Sequence, residues 1–152
     1  MGHELSEPWL YPDELSVVSS FAEAGVRFIV IGGRAVQFHG RVRPAKDLDL
    51  LVEFSAENWA KLAIALRPLN AGVPPFEGLS QNRKFQAKLN RYPTVEFITA
   101  IDGVSFAEAW TECVEATFEG VEFRVLSKAH LIVSKQSRLS PVDVDDIRSL
   151  QG

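Results

Sequence analysis

Apolar positions along the chain switch between a helical and an extended period, and the switches divide it into elements. Leu15, Val18, Phe21 and Ala22 fall at helical spacing behind Pro12-Asp13-Glu14, and Gly25 ends that helix. Val26 to Ile31 is a short apolar run rich in β-branched residues, which predicts a buried strand. Gly32-Gly33 then turns the chain into a short helix ending near Gly40, and Asp47 to Phe54 predicts a second strand. Ser55 caps a helix with a stripe of Trp59, Leu62, Ala63 and Leu66, stopped by Pro68. Residues 70–80, with Gly72, Pro74, Pro75 and Gly78, predict a loop. Lys84 to Asn90 and Val95 to Ala100 predict two strands paired through a turn at Arg91-Tyr92-Pro93. Ser105-x-x-Glu108 is a capping box, opening a helix whose stripe is Phe106, Ala109, Trp110, Cys113 and Val114. Val121 to Val125 predicts a further strand. Two helices close the chain, one from Ser127 and one from Ser140-Pro141, the latter with an inner face of Val144, Ile147 and Leu150.

With no repeat, linker or low-complexity tract, 152 residues of this pattern predict one α/β (α+β) domain. Residues 1–11 read as an N-terminal extension and 127–150 as a C-terminal helical pair. No apolar run approaches the roughly 20 residues of a membrane helix. The start, Met1 to Ser6, is acidic and lacks the apolar stretch of a signal peptide. Cys113 is the single cysteine, which excludes an internal disulfide and fits a reducing compartment. The expectation is a cytoplasmic protein with no membrane contact. Net charge of −4 argues against indiscriminate coating of nucleic acid. Its distribution is uneven: Arg34, Arg41, Arg43 and Lys46 form one basic cluster, and Arg83, Lys84, Lys88 and Arg91 form another. Both suit a phosphate-rich ligand, and both also suit plain solvated surface.

Three features carry chemistry. On a strand, Asp47 and Asp49 project from one face while Leu48 and Leu50 enter the core. At about 4 Å and an effective dielectric near 20, two such carboxylates repel by about 4 kcal/mol. A shared proton, water or a cation relieves that, and Mg²⁺ suits because it takes one or two carboxylates plus phosphate oxygens. Val30-Ile31-Gly32-Gly33-Arg34 runs from strand through two glycines into helix, which aims backbone N–H groups at an anion. It lacks the third glycine of a dinucleotide fingerprint and the Gly-Lys-Ser/Thr of a P-loop. Glu96 stands on the face opposite Val95 and Phe97, and completes a three-carboxylate cluster if its strand lies beside that of Asp47. Singly, each has a plainer role: an exposed acid pair, a tight turn, a charge on a wet face.

Together they resemble a known pattern. The run from Phe28 to Val52 resembles the signature of the nucleotidyltransferase superfamily, the fold of DNA polymerase β. There a Gly-Gly or Gly-Ser precedes Asp-x-Asp by about a dozen residues, and a third acid arrives on a later strand; here 13 residues separate Gly33 from Asp47. Gly32, Gly33, Ala35, His39, Gly40, Arg43, Asp47 and Asp49 match small bacterial members of the minimal and AbiEii types, often found in toxin–antitoxin pairs. Lys135, Arg138, Asp143 and Asp146 are similar to that family's closing segment.

The resemblance implies a central mixed sheet flanked by helices. It also implies an enzyme that moves a nucleoside monophosphate from a nucleoside triphosphate to a hydroxyl of RNA, a partner protein or a small molecule. Gly32 and Gly33 would cradle the triphosphate, and Asp47, Asp49 and Glu96 would hold Mg²⁺ or Mn²⁺, Glu96 also helping to deprotonate the acceptor. Lys135, Arg34 and Arg43 would balance phosphate charge. Ala45 in place of Thr, Glu96 in place of Asp and Val142 in place of Lys depart from the pattern. They give weight to an alternative, a catalytically weak binding partner of the same fold within a toxin–antitoxin pair.

Overall fold

The computed structural model describes residues 3–4, 9–40, 47–80, 83–91, 93–138 and 141–151. Seven strands make one mixed sheet: β1 (His3–Glu4), β2 (Phe28–Ile31), β3 (Leu48–Val52), β4 (Gln86–Leu89), β5 (Val95–Ile98), β6 (Val114–Phe118) and β7 (Val121–Val125), in the spatial order β1-β6-β7-β2-β3-β5-β4. Among the described residues six α-helices flank it: α1 (Pro12–Glu23), α2 (Gly32–Phe38), α3 (Ala56–Leu66), α4 (Phe106–Glu112), α5 (Lys128–Arg138) and α6 (Pro141–Gln151). This is the α/β architecture with a central mixed sheet that the sequence predicts. Among the described residues no helix is long and apolar enough to cross a membrane.

β2 and β3 are apolar almost throughout because they lie at the centre, covered on both faces. Phe21 of α1 packs edge-on against Phe28 and Phe97, with ring centroids 5.6 and 6.3 Å away. On α3 the buried stripe is Trp59, Leu62, Ala65 and Leu66, so Ala65 takes the place expected for Ala63. Buried Asn58 ties α3 to the sheet, its Oδ1 accepting from the Arg27 N–H at 2.7 Å and its Nδ2 donating to the Glu53 carbonyl at 2.8 Å. β2 meets β7 in parallel, with Val30 opposite Val125 and the Leu126 N–H donating to the Val30 carbonyl at 2.9 Å.

Two expectations are corrected. The stripe read through Val114 as one helix stops at Glu112, and Val114 opens β6, paired antiparallel with β7. The turn between them places Glu119 and Gly120 at φ of 49° and 79°, the left-handed pair that a two-residue hairpin requires. Helix α6 buries Leu150 and half-buries Ile147 as expected, but Val144 is 40% exposed while Asp143 and Asp146 are buried. The cause lies on α5, where buried Lys135 sets its Nζ 2.8 Å from Asp146 Oδ2 and 3.4 Å from Asp143 Oδ1. An ion pair shielded from water outweighs one valine in orienting the helix.

Candidate active site

The site forms where β2 ends. Ile31 stands opposite Asp49 across β2 and β3, and Asp49 stands opposite Glu96 across β3 and β5. Residues opposite one another share a face of the sheet, so Asp49 and Glu96 project side by side on adjacent strands. Immediately after Ile31 the chain turns at Gly32, whose φ is +69°. A Cβ built there would lie 2.5 Å from Asp49 Oδ2 and 3.3 Å from Asp49 Cγ. Glycine is needed twice over, for its left-handed backbone and for the close approach of a carboxylate. Gly33 follows inside α2, whose first N–H groups have no acceptor within the helix.

A cavity of about 210 Å³ opens here, lined by Gly32, Asp49 and Glu96, with Lys84, Gln86 and Asp102 also on its wall. Lys135 reaches the same cavity while its ammonium is held by Asp146 and Asp143. The structure thus brings Gly32, Asp49, Glu96 and Lys135 together. Asp47 is exposed at the bend before β3 and is not on that wall. Among the described residues, no group of three or more His, Cys, Asp or Glu is gathered closely enough to hold a metal ion. Asp49 and Glu96 are the two carboxylates that the sheet register sets side by side. That donor set fits Mg²⁺, which prefers a carboxylate or two and fills its octahedron with water and phosphate oxygens.

Arg34 is a correction to the expected phosphate ligands. Its guanidinium is buried and donates to Glu14 through Nη1 at 2.8 Å and Nη2 at 2.6 Å, with Nη1 also 3.2 Å from the Trp9 carbonyl. Helix geometry explains it: one residue past Gly33, the side chain points back under α2 toward α1. Arg43 and Ala45 lie outside the described residues. His39 is structural, its Nε2 donating to the Leu126 carbonyl at 2.8 Å. Trp110, expected in the core, is half-buried beneath the Arg124 guanidinium at 4.2 Å and that of Arg27 at 5.1 Å.

Sequence reading missed Gln86 and Asp102. Gln86 had a usable signal, since it shares strand parity with Lys88 next to the strand of Glu96. Asp102 sits in a turn and had none. A larger cavity of about 590 Å³ lies between α1 and the β6–β7 hairpin and contains none of the expected site residues.

No protein-family model and no curated protein matches the sequence. Solved structures do match the fold. The chain superposes on the lincosamide antibiotic adenylyltransferase LnuA, lincomycin-bound, with TM-score 0.62 and 18% identity over 94% of this chain and 98% of that one. It superposes on antibiotic-resistance factor ANT(2'')-Ia in solution with TM-score 0.60 and 21% identity, covering 90% of this chain and 79% of that one. On ANT(2")-Ia in complex with adenylyl-2"-tobramycin the TM-score is 0.57, at 19% identity over 90% and 84% of the two chains. The molecule has the nucleotidyltransferase fold. Of these neighbours, one is named an adenylyltransferase and another is bound to adenylyl-2"-tobramycin.

Proposed function

We propose that this chain is a metal-dependent nucleotidyltransferase that moves a nucleoside monophosphate from a nucleoside triphosphate to a hydroxyl acceptor. The observation that carries the reading is Gly32 held against the Asp49 carboxylate, with Glu96 next to it in register. A glycine turn able to receive phosphate oxygens beside two adjacent carboxylates is what in-line phosphoryl chemistry requires. Asp49 and Glu96, with Asp47 at the rim, would hold Mg²⁺ or Mn²⁺, which when bound neutralises phosphate oxygens and acidifies a hydroxyl. The acceptor oxygen bonds to the α-phosphorus, the α–β bridging bond breaks, and pyrophosphate leaves with its electron pair. The acceptor proton passes to Glu96 or to water beside it. Lys135 faces the same cavity and offsets negative charge there.

Lincomycin and tobramycin in the names of the structural neighbours make small hydroxyl compounds the first acceptors to try, with RNA and protein beside them. The adenylyltransferase name of one neighbour and the adenylyl group on the tobramycin bound to another make ATP the first donor to try. A second reading, a catalytically weak component of a cytoplasmic toxin–antitoxin pair, draws on one observation: among the described residues the carboxylates are not gathered into a cage.

The test incubates each α-labelled nucleoside triphosphate and Mg²⁺ with small alcohols, RNA and protein extract, beside Asp47→Ala/Asp49→Ala. Label that needs both aspartates supports the enzyme and reveals base and acceptor. Mg²⁺-dependent triphosphate binding without label favours the second reading. Absence of binding removes the site.

A further inference from the structure

Four strands bring one residue each into a single transverse row: Ile31 of β2, Asp49 of β3, Glu96 of β5 and Lys88 of β4. Strands lie about 4.8 Å apart, so Lys88 is removed from Asp49 by about 10 Å at the backbone. Gly32 leaves one end of the row and Lys88 closes the other. β4 is the edge of the sheet, so among the described residues no strand lies beyond Lys88. Two residues back along the strand, Gln86 shares its face, and Gln86 and Lys84 both line the cavity of Asp49 and Glu96. Ala87 and Leu89 take the opposite, inner face against Phe97 and Val95.

Lys84 and Lys88 are exposed, and among the described residues neither forms an ion pair. Two plainer roles exist for them. A lysine on an edge strand discourages pairing with another chain, and a lysine opposite a glutamate adds about 0.2–1 kcal/mol. Neither role accounts for Lys84 on the cavity wall. Bound at Asp49 and Glu96, a divalent cation would take up the carboxylate charge nearest Lys88. The far end of the row would then carry Lys84 and Lys88 against Asp102 alone, a local excess of positive charge.

The row also has a direction. With the triphosphate at Gly32 and the deprotonating carboxylate at Glu96, the attacking hydroxyl enters from the β4 side. We propose that Lys84 and Lys88 form an anion clamp that selects an acceptor bearing a phosphate near its reacting hydroxyl, a phosphorylated alcohol. This rests on the nucleotidyltransferase reading. A sugar phosphate and the end of an RNA chain offer the same chemistry.

The test measures binding of ribose, ribose 5-phosphate and a short oligoribonucleotide to the full chain at about 0.15 M salt, where exposed charges act only within about 8 Å. Mg²⁺ and a triphosphate analogue blocked between the α and β phosphates saturate the donor end, so that no probe reports on it. The expected result is ribose 5-phosphate binding about tenfold tighter than ribose, a preference lost in Lys84→Glu/Lys88→Glu and kept in Lys84→Arg/Lys88→Arg. Ribose 5-phosphate matching the oligoribonucleotide would identify a small acceptor, and a further gain for the oligoribonucleotide an RNA end. Equal binding of ribose and ribose 5-phosphate, or a preference that survives both charge reversals, overturns the clamp. If wild type fails to bind the Mg²⁺-triphosphate, the function proposed above falls. The ribose comparison, repeated without nucleotide, still decides the clamp.

Discussion

Gly32→Ala isolates the contact on which the site is built. The alanine would carry a Cβ on a residue with φ of +69°, a left-handed conformation that costs an L-residue about 1–2 kcal/mol. It would also put that Cβ 2.5 Å from Asp49 Oδ2, a separation that forces the carboxylate to move. For a chain of this size each kcal/mol lowers the melting temperature by about 2–4 °C, so the backbone alone accounts for about 2–8 °C. The contact adds to that, and only this added part depends on Asp49. A double-mutant cycle therefore separates them: Asp49→Ala removes the obstructing carboxylate and leaves the backbone strain in place. Chemical unfolding of wild type, both single variants and the pair should give a double variant more stable than the sum of the single losses, by more than about 0.5 kcal/mol. Mg²⁺-triphosphate binding, measured well below each melting point, should fall in Gly32→Ala even where the protein is folded. Additive losses within about 0.3–0.5 kcal/mol, or unaltered binding, would refute the close approach as the feature that shapes the site.

Other consequences are equally direct. Lys135→Ala removes the cation between Asp143 and Asp146 and should destabilise the fold by about 3–5 kcal/mol in urea titration; a loss under about 1 kcal/mol would show the triad to be wet. Arg34→Met should lower the melting temperature by leaving the buried Glu14 carboxylate without its bidentate partner, yet leave triphosphate affinity at low temperature unchanged; a selective loss of affinity would return Arg34 to the phosphate site. Glu108 accepts from the Ser105 backbone N–H at 3.0 Å, and hydrogen bonds from Ser105 hold its carboxyl below the usual range. A lowered folded-state pKa stabilises at neutral pH and is lost as pH falls through that value. The difference in melting temperature between wild type and Glu108→Gln should therefore shrink in acid, and a gap independent of pH would contradict this.

What could be read from the sequence divides along the range of the interactions. The β2–turn–α2 unit and the caps at Ser55 and Ser105 follow from local spacing, and the structure contains them, whereas the shared face of Asp49 and Glu96 needs the non-local pairing of β3 with β5. The departures arise where distant partners decide. Val144 has the spacing of a core residue, but α6 answers to a lysine on another helix. Arg34 follows a glycine pair that suits phosphate, but Glu14 on α1 claims it. Val114, the first residue of β6, continues the apolar pattern of α4 through Cys113, and only pairing with β7 reveals the strand. The relative placement of Asp47 depends on where β3 begins, and Asp47 lies one residue outside it.

The seam between β2 and β7 sets an order of assembly during synthesis. Every strand of the carboxylate row, from β2 to β5, has left the ribosome by Ile98, and those strands pair among themselves. The other edge of β2 must wait for Val125, 95 residues beyond its partner Val30, and closing so long a loop is the slow, non-local part of folding. Until then an apolar central strand presents bare backbone to its surroundings, the condition in which chains join edge to edge. A nascent chain stalled between those two points would carry its carboxylates already aligned and its sheet half built, a species that depends on chaperones more than the finished protein does.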